Sequence, residues 1–199
     1  CSWNCSNEVL LENIYEFVAL PPCSISRYSR IINLEKAQDQ KGLMKDVNNH
    51  VFTEIEIIAT PEQVWSVLTD WKNLKEWSSS FIGISTERLS IGETFISYFK
   101  NPLTGKPFEL LHICTDYEEG RKFGWSGNLI GKTKDHHIYS VEPTEHGTTI
   151  FMQEDGLHGP HSKFLNFLAE HKMMAMYKRF NEELKKRVEF LYQGNQYYS

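Results

Sequence analysis

Apolar and polar positions begin to alternate at His50. In "HVFTEIEIIA" (50–59), Val51, Thr53, Ile55 and Ile57 fall on one side, and Phe52, Glu54, Glu56 and Ile58 on the other. That is the period of a half-buried strand. "TPEQVWSVL" follows, with Thr60 as a good N-cap, Pro61 at the first helical position and Gln63 completing a capping box. Val64, Trp65, Val67 and Leu68 give this helix an apolar face, and a second short helix is expected from Asp70 to about Trp77. Strand patterns separated by turn residues come next, at 93–100, 108–117, 122–127, 134–143 and 149–157. Consecutive strands joined by tight polar turns predict an antiparallel meander.

After Gly159 and Pro160 the period changes from two to between three and four. Phe164, Leu165, Leu168, Met173, Met176, Tyr177, Phe180, Leu184, Val188 and Leu191 mark one face of a helix from about Ser162 to Gln193, and Lys178, Arg179, Glu182, Glu183, Lys185 and Lys186 its wet side. Residues 1–49 lack this regularity. "EVLLENIYEFV" (8–18) has roughly helical spacing and is stopped by Pro21 and Pro22, so 1–49 reads as an extension with one short amphipathic helix. The domain proper is expected over 50–193, with a tail at 194–199.

Composition narrows the function classes. The 199 residues are 40% hydrophobic and 24% charged, ordinary for a globular chain with a sizeable core. A net charge of −5, with basic residues scattered, argues against nucleic acid as a partner. No apolar run approaches the ~20 residues a membrane span needs. The four cysteines, Cys1, Cys5, Cys23 and Cys114, form no zinc-spaced set and read as reduced thiols of a cytoplasmic protein. Export is the alternative, because the chain starts at Cys1 without methionine and "NCS" at 4–6 is a glycosylation triplet. Nothing indicates a cofactor, and oligomeric state is left open.

The element order and several local motifs together resemble the START-like (SRPBCC) superfamily, the helix-grip or birch-pollen-allergen fold. "IATPEQVWSVLTDWKNLKEWS" is similar to that family's opening segment, and "FNEELKKRVE" to its last helix turns. "FGWSG", "HHIYSVEP" and "GTTIFMQEDGLHG" are similar to the final three strands of bacterial polyketide cyclase/dehydratase-like and lipid-transport members. The resemblance covers 50–192. It implies an α+β domain whose curved antiparallel sheet grips the long C-terminal helix around a cavity. It leaves the chemistry open, because members bind lipids, sterols, polyketides or quinones, cyclise polyketides, or activate chaperones.

Candidate residues follow from where each side chain falls in that architecture. Trp65 shares a helix face with Leu68 and reads as core, Trp71 fits either role, and Trp77, followed by Phe81, is a candidate cavity wall. Phe95 and Phe99 on the strand 93–100, and Trp125 with Phe123 on its own face, are candidates for the same wall. Phe164, Leu168, Met173 and Met176 would line it from the helix, although methionines on a helix are more often plain core. His136 and His137 point to opposite sides of a strand and cannot chelate together. "HGPH" (158–161), near Glu154 and Asp155, matches no zinc signature, and no metal is expected. His137, Tyr139 and Val141 share a face, which makes His137 and Tyr139 the candidate acid–base pair as well as candidate ligand contacts. The faces of Tyr98, His112, Gln153 and Glu154 are not fixed by the pattern.

Three functions are therefore weighed: a carrier of a small hydrophobic molecule such as a lipid or polyketide, a cyclase/dehydratase using His137 or Tyr139, and a protein-interaction module of the chaperone-activator kind. Ligand binding is the preferred expectation.

Overall fold

The computed structural model describes residues 50–101, 104–128, 133–159 and 162–193, with helical backbone alone over 162–172. Elements run in the order β1 (His50–Ile57), α1 (Pro61–Leu68), α2 (Leu74–Trp77), β2 (Phe81–Ile84), β3 (Thr94–Lys100), β4 (Pro107–Glu118), β5 (Lys122–Gly127), β6 (Lys134–Pro143), β7 (Thr149–His158) and α3 (Ser162–Gln193). The expected extension at 1–49, with its helix over 8–18, and the tail lie outside the described residues.

The strands form one seven-stranded antiparallel sheet in the order β1-β7-β6-β5-β4-β3-β2. β2 to β7 are a meander, and β1 closes its far edge by pairing with β7. Register breaks between Phe81 and Gly83, and between Cys114 and Asp116, bend the strands where they occur. With α3 lying across the curved face, the fold is the α+β helix grip. β1 is buried at 51, 53 and 57 and exposed at 52, 54, 56 and 58, as its alternation requires.

Two element assignments need correction. β2 was not anticipated, since four residues after a serine run are too few to display a period. The second helix starts at Leu74 rather than Asp70. The Asp70 carbonyl accepts from the amides of Asn73 and Leu74, and its carboxylate accepts from Asn73 Nδ2 at 2.7 Å, so a turn occupies 70–73. That turn lies against β2, where a Cβ on Gly83 would stand 3.2 Å from the Trp71 carbonyl at a φ of +149°. Only glycine accepts both conditions.

The capping box of α1 is complete, with Gln63 N donating to Thr60 Oγ1 and Thr60 N to Gln63 Oε1. Its buried face packs Val64 and Leu68 into a core shared with Leu74, Phe123, Val141, Phe151, Phe180, Leu184 and Val188. Trp65 belongs to this core and donates its indole N–H to Glu119 at 3.1 Å. Trp71 is half-buried, edge-on to Phe123 at 5.2 Å. Along α3 the buried face ends at Val188; Leu191, expected on it, is exposed. Two contacts fix that end of the helix: Lys185 donates to the Glu56 carbonyl, and Ile58 N to Glu189.

Candidate functional site

Strand register lays the inward side chains in rows across the sheet. One row runs Phe95, His112 and Gly127, then Asp135 and Leu157; the next runs Cys114, Trp125, His137, Asp155 and Val51; a third runs Phe123, Tyr139, Gln153 and Thr53. Ser97, His112, Asp135, His137, Gln153, Asp155 and Thr53 are all buried, as are Tyr177 and Asn181 on α3. Polar side chains this deep are normally placed for each other or for a ligand.

They form two networks. In the first, Ser97 Oγ is hydrogen-bonded to His112 Nδ1 at 2.5 Å, and His112 Nε2 lies 3.4 Å from Asp135 Oδ2. Gly127, standing between them, donates its amide to Asp135 Oδ1. A Cβ there would come within 2.6 Å of His112 Cδ2, so the histidine reaches the aspartate through the space glycine leaves. In the second network, Gln153 Nε2 donates to the Tyr177 carbonyl at 3.2 Å and to Asn181 Oδ1. Gln153 Oε1 is then left to accept from His137 Nε2–H at 3.2 Å, which assigns the histidine tautomer. The Tyr177 hydroxyl donates to Asp155 Oδ2.

Burial and charge divide these groups into opposite protonation states. Burial drives His137 down to about 3, so its imidazole is neutral near pH 7. Burial, helped by the negative charge of Asp135, pushes Asp155 up to about 8, which keeps it a neutral carboxylic acid. Burial would also raise Asp135, but His112 beside it and the Gly127 amide outweigh it and hold it below the usual carboxylate range. Burial raises Tyr139 well above the ordinary phenol value. Within a few ångströms of each other in the interior, Asp135 is thus ionised, while Asp155 is a neutral carboxylic acid and His137 a neutral imidazole.

The sequence agrees with this architecture when set against known proteins. Residues 49–189 match the family model described as polyketide cyclase/dehydrase and lipid transport. The chain belongs to that family. Solved structures share its fold at low identity. Hypothetical protein jhp0584 from Helicobacter pylori superposes with a TM-score of 0.59 at 16% identity, over 74% of this chain and 92% of that one. A START superfamily protein from Mycobacterium smegmatis gives 0.52 at 15%, over 71% and 98%. DynU16, from the dynemicin biosynthetic locus, gives 0.54 at 14%, over 71% of this chain and 48% of its own. No curated protein matches the sequence.

The side chains that the sequence nominates in this family member are partly brought together. Phe81, Phe95, Trp125, His137 and Tyr139 are buried and form a continuous run of ring contacts. Trp77, half-buried, lies 5.3 Å from Phe180, and Phe99, also half-buried, stacks on Phe108 at 5.5 Å. Met173 and Met176 are half-buried on α3, and the side chains of Phe164 and Leu168 lie outside the described residues. His137 and Tyr139 do share a face, with rings stacked at 4.3 Å and 12° rather than joined by a hydrogen bond. His136 points the other way, toward Asp116 and Thr115 at 3.2 Å each.

Sequence reasoning missed Asp135, Asp155, Asn181, Ser97 and Thr53 as site groups, and left His112 and Gln153 unplaced. Strand parity held a signal for the aspartates: Asp135 is two residues from His137, and Asp155 is two from Gln153. Among the described residues, no cluster of three or more His, Cys, Asp or Glu is placed to hold a metal, and His161 of the HGPH stretch lies outside them. No helix among the described residues is long and apolar enough to cross a membrane. A separate surface cleft of about 420 Å³ runs between Thr69–Lys72 and Ile84–Glu87, where its Lys72–Glu87 ion pair is fully open to solvent and carries little energy.

Proposed function

We propose that this protein binds a small hydrophobic molecule, such as a lipid or polyketide, between the inner face of the sheet and α3. The observation that carries the reading is the buried polar patch beneath Tyr177 and Asn181. An interior serving only as core would gain stability from apolar side chains at these positions, since burying polar groups is costly unless they are fully paired. Family membership and the surrounding rings of Trp125, Tyr139, Phe81 and Phe95 support an apolar ligand body, with Trp77 and Phe99 at its flanks. The patch also weighs against a pure interaction module, whose interior has no use for it.

The test is mass spectrometry of apolar extracts from purified, denatured protein, combined with titration of a fluorescent apolar probe. A co-purified molecule, or saturable probe binding weakened by Trp77→Ala, is the expected result. Absence of both would end the ligand-binding reading.

One observation favours a second reading, acid–base catalysis of the cyclase/dehydratase type: Asp155 is buried with Oδ1 lacking a hydrogen-bond partner among the described residues. Asp155 stays protonated to about pH 8 and so is a proton donor at neutral pH. In this reading Asp155 is the acid, while His137, neutral with Nδ1 unprotonated, and Tyr139 orient the substrate. Turnover of a polyketide mimic that is abolished by Asp155→Asn, with binding retained, would distinguish the enzyme from the carrier.

A further inference from the structure

Three buried polar atoms have no hydrogen-bond partner among the described residues: Thr53 Oγ1, Asp155 Oδ1 and Asn181 Nδ2. Their side chains come from three elements, β1, β7 and α3, and each residue is more than nine-tenths buried. All three belong to the surroundings of Gln153. Thr53 is its cross-strand partner, Asn181 accepts its amide N–H, and Asp155 is two residues along on the same face. Tyr177, one turn before Asn181 on α3, ties Asp155 to the same network.

The unused capacity has a definite polarity. Gln153 donates to Asn181 Oδ1, which leaves the Asn181 amide N–H groups as donors. The Tyr177 hydroxyl occupies Asp155 Oδ2, which leaves Oδ1 as the open oxygen of this carboxylic acid, a donor when it carries the proton. The Thr53 hydroxyl serves in either sense. Two buried donors and a hydroxyl around one network are complementary to an acceptor oxygen, and leaving them unmatched is costly.

We propose that Thr53, Asp155 and Asn181 form a polar subsite that receives an uncharged carbonyl oxygen, of a ketone, ester or amide, carried by a ligand with an apolar body. The inference rests on the ligand-binding reading and deepens it: the interior selects among apolar molecules by one oxygen. His137 and Tyr139, stacked beside the subsite, supply a flat wall for the atoms next to the carbonyl.

The experiment compares 2-acetylnaphthalene with 2-ethylnaphthalene, nearly the same shape with and without the carbonyl, and with the charged 2-naphthoate. Each competes against a fluorescent apolar probe at pH 7. The ketone should bind about tenfold more tightly than the hydrocarbon, the order expected for well-made hydrogen bonds in a buried site. That gap should close in Asn181→Leu and survive in Asp155→Asn, which keeps a donor. Should the leucine variant fail to fold, Thr53→Val removes a single hydroxyl at constant shape and should narrow the gap about threefold. Equal binding of ketone and hydrocarbon, a gap that the Asn181 and Thr53 variants leave intact, or tightest binding of the naphthoate would each overturn the subsite while leaving ligand binding standing. Failure of all three compounds to displace the probe, with no apolar molecule co-purifying, would instead remove the reading on which the subsite rests.

Discussion

Phe180 and Asn181 are neighbours on one helix, and the interior changes character between them. Phe180 packs among Trp77, Phe81, Tyr139 and Phe151, with centroid distances of 5.3–6.3 Å. Leu184 and Val188 continue that contact toward α1. Asn181 instead meets Gln153, and Tyr177 meets Asp155. The same sheet and helix therefore enclose an apolar region that holds the fold together and a polar one that adds little to stability. Hydrophobic burial alone would have filled both with Leu and Phe. The difference marks the part of the interior on which the proposed ligand binding rests.

Substitutions separate the two regions by magnitude. Phe180→Ala should have the largest effect, about 3–5 kcal/mol in urea unfolding, because it empties the centre of the apolar contact. Gly127→Ala should come next. Its methyl would stand 2.6 Å from His112, forcing the ring off Asp135 or the strands apart. A cost of about 1–3 kcal/mol is expected, with much of it recovered when His112 is also replaced by alanine. Additive losses in that double variant would show that glycine is needed there for some reason other than the histidine.

The polar region should show itself through pH. The groups around Asp155 are Tyr177 on α3, Asp135, His137 and Tyr139 on β6, and the backbone amides of His136 and Gly156. Folded Asp155 keeps its proton to about pH 8, against an ordinary carboxylic-acid value of 3.8. The folded chain therefore binds an extra proton between these values, and stability falls as pH rises from about 4 toward 8. His137 acts in the opposite sense. Its folded value is about 3 against 6.5, so stability falls as pH drops from about 6.5 toward 3. Asp155→Asn should flatten the alkaline arm and exceed wild type by about 1–3 kcal/mol at pH 9. His137→Gln should flatten part of the acidic arm, the remainder belonging to Asp135, which lies below its ordinary value. Melting temperatures across pH 4–9 give both slopes; parallel curves for wild type and Asp155→Asn would mean that Asp155 is ionised throughout.

The apolar region was far more legible in the sequence than the polar one. Alternation in 50–59, the Thr60–Gln63 cap and the three-to-four spacing of α3 are local signals, and each fixed its element and, on α3 from Tyr177 to Val188, the buried face. Local parity also put His137 and Tyr139 inside and His136 outside. The polar site depends on register between distant segments: His112 meets Asp135 across β5, and Asp155 meets Tyr177 across 22 residues. Gly127 makes the first of these contacts possible by having no side chain, and no periodicity can display that. The Gln153–Asn181 contact likewise needs the angle at which α3 crosses the sheet.

The smallest effect should come from His136, and it bears on what makes its neighbour special. His136 and His137 are adjacent in sequence, but His136 lies half-buried on the outer face, with Asp116 and Thr115 as partners. Its contact with Asp116 is of the surface kind, generally worth ~0–1 kcal/mol. It also helps hold the Asp116 carboxyl below its usual range, together with the Thr115 hydroxyl and Lys122. His136→Ala should therefore cost less than about 1 kcal/mol, leave ligand binding unchanged, and raise the Asp116 titration toward ordinary carboxylate values as followed by NMR. A loss in ligand binding comparable to that of Asn181→Leu would mean that the two faces of β6 are coupled. The inner patch could then no longer be treated as a site of its own.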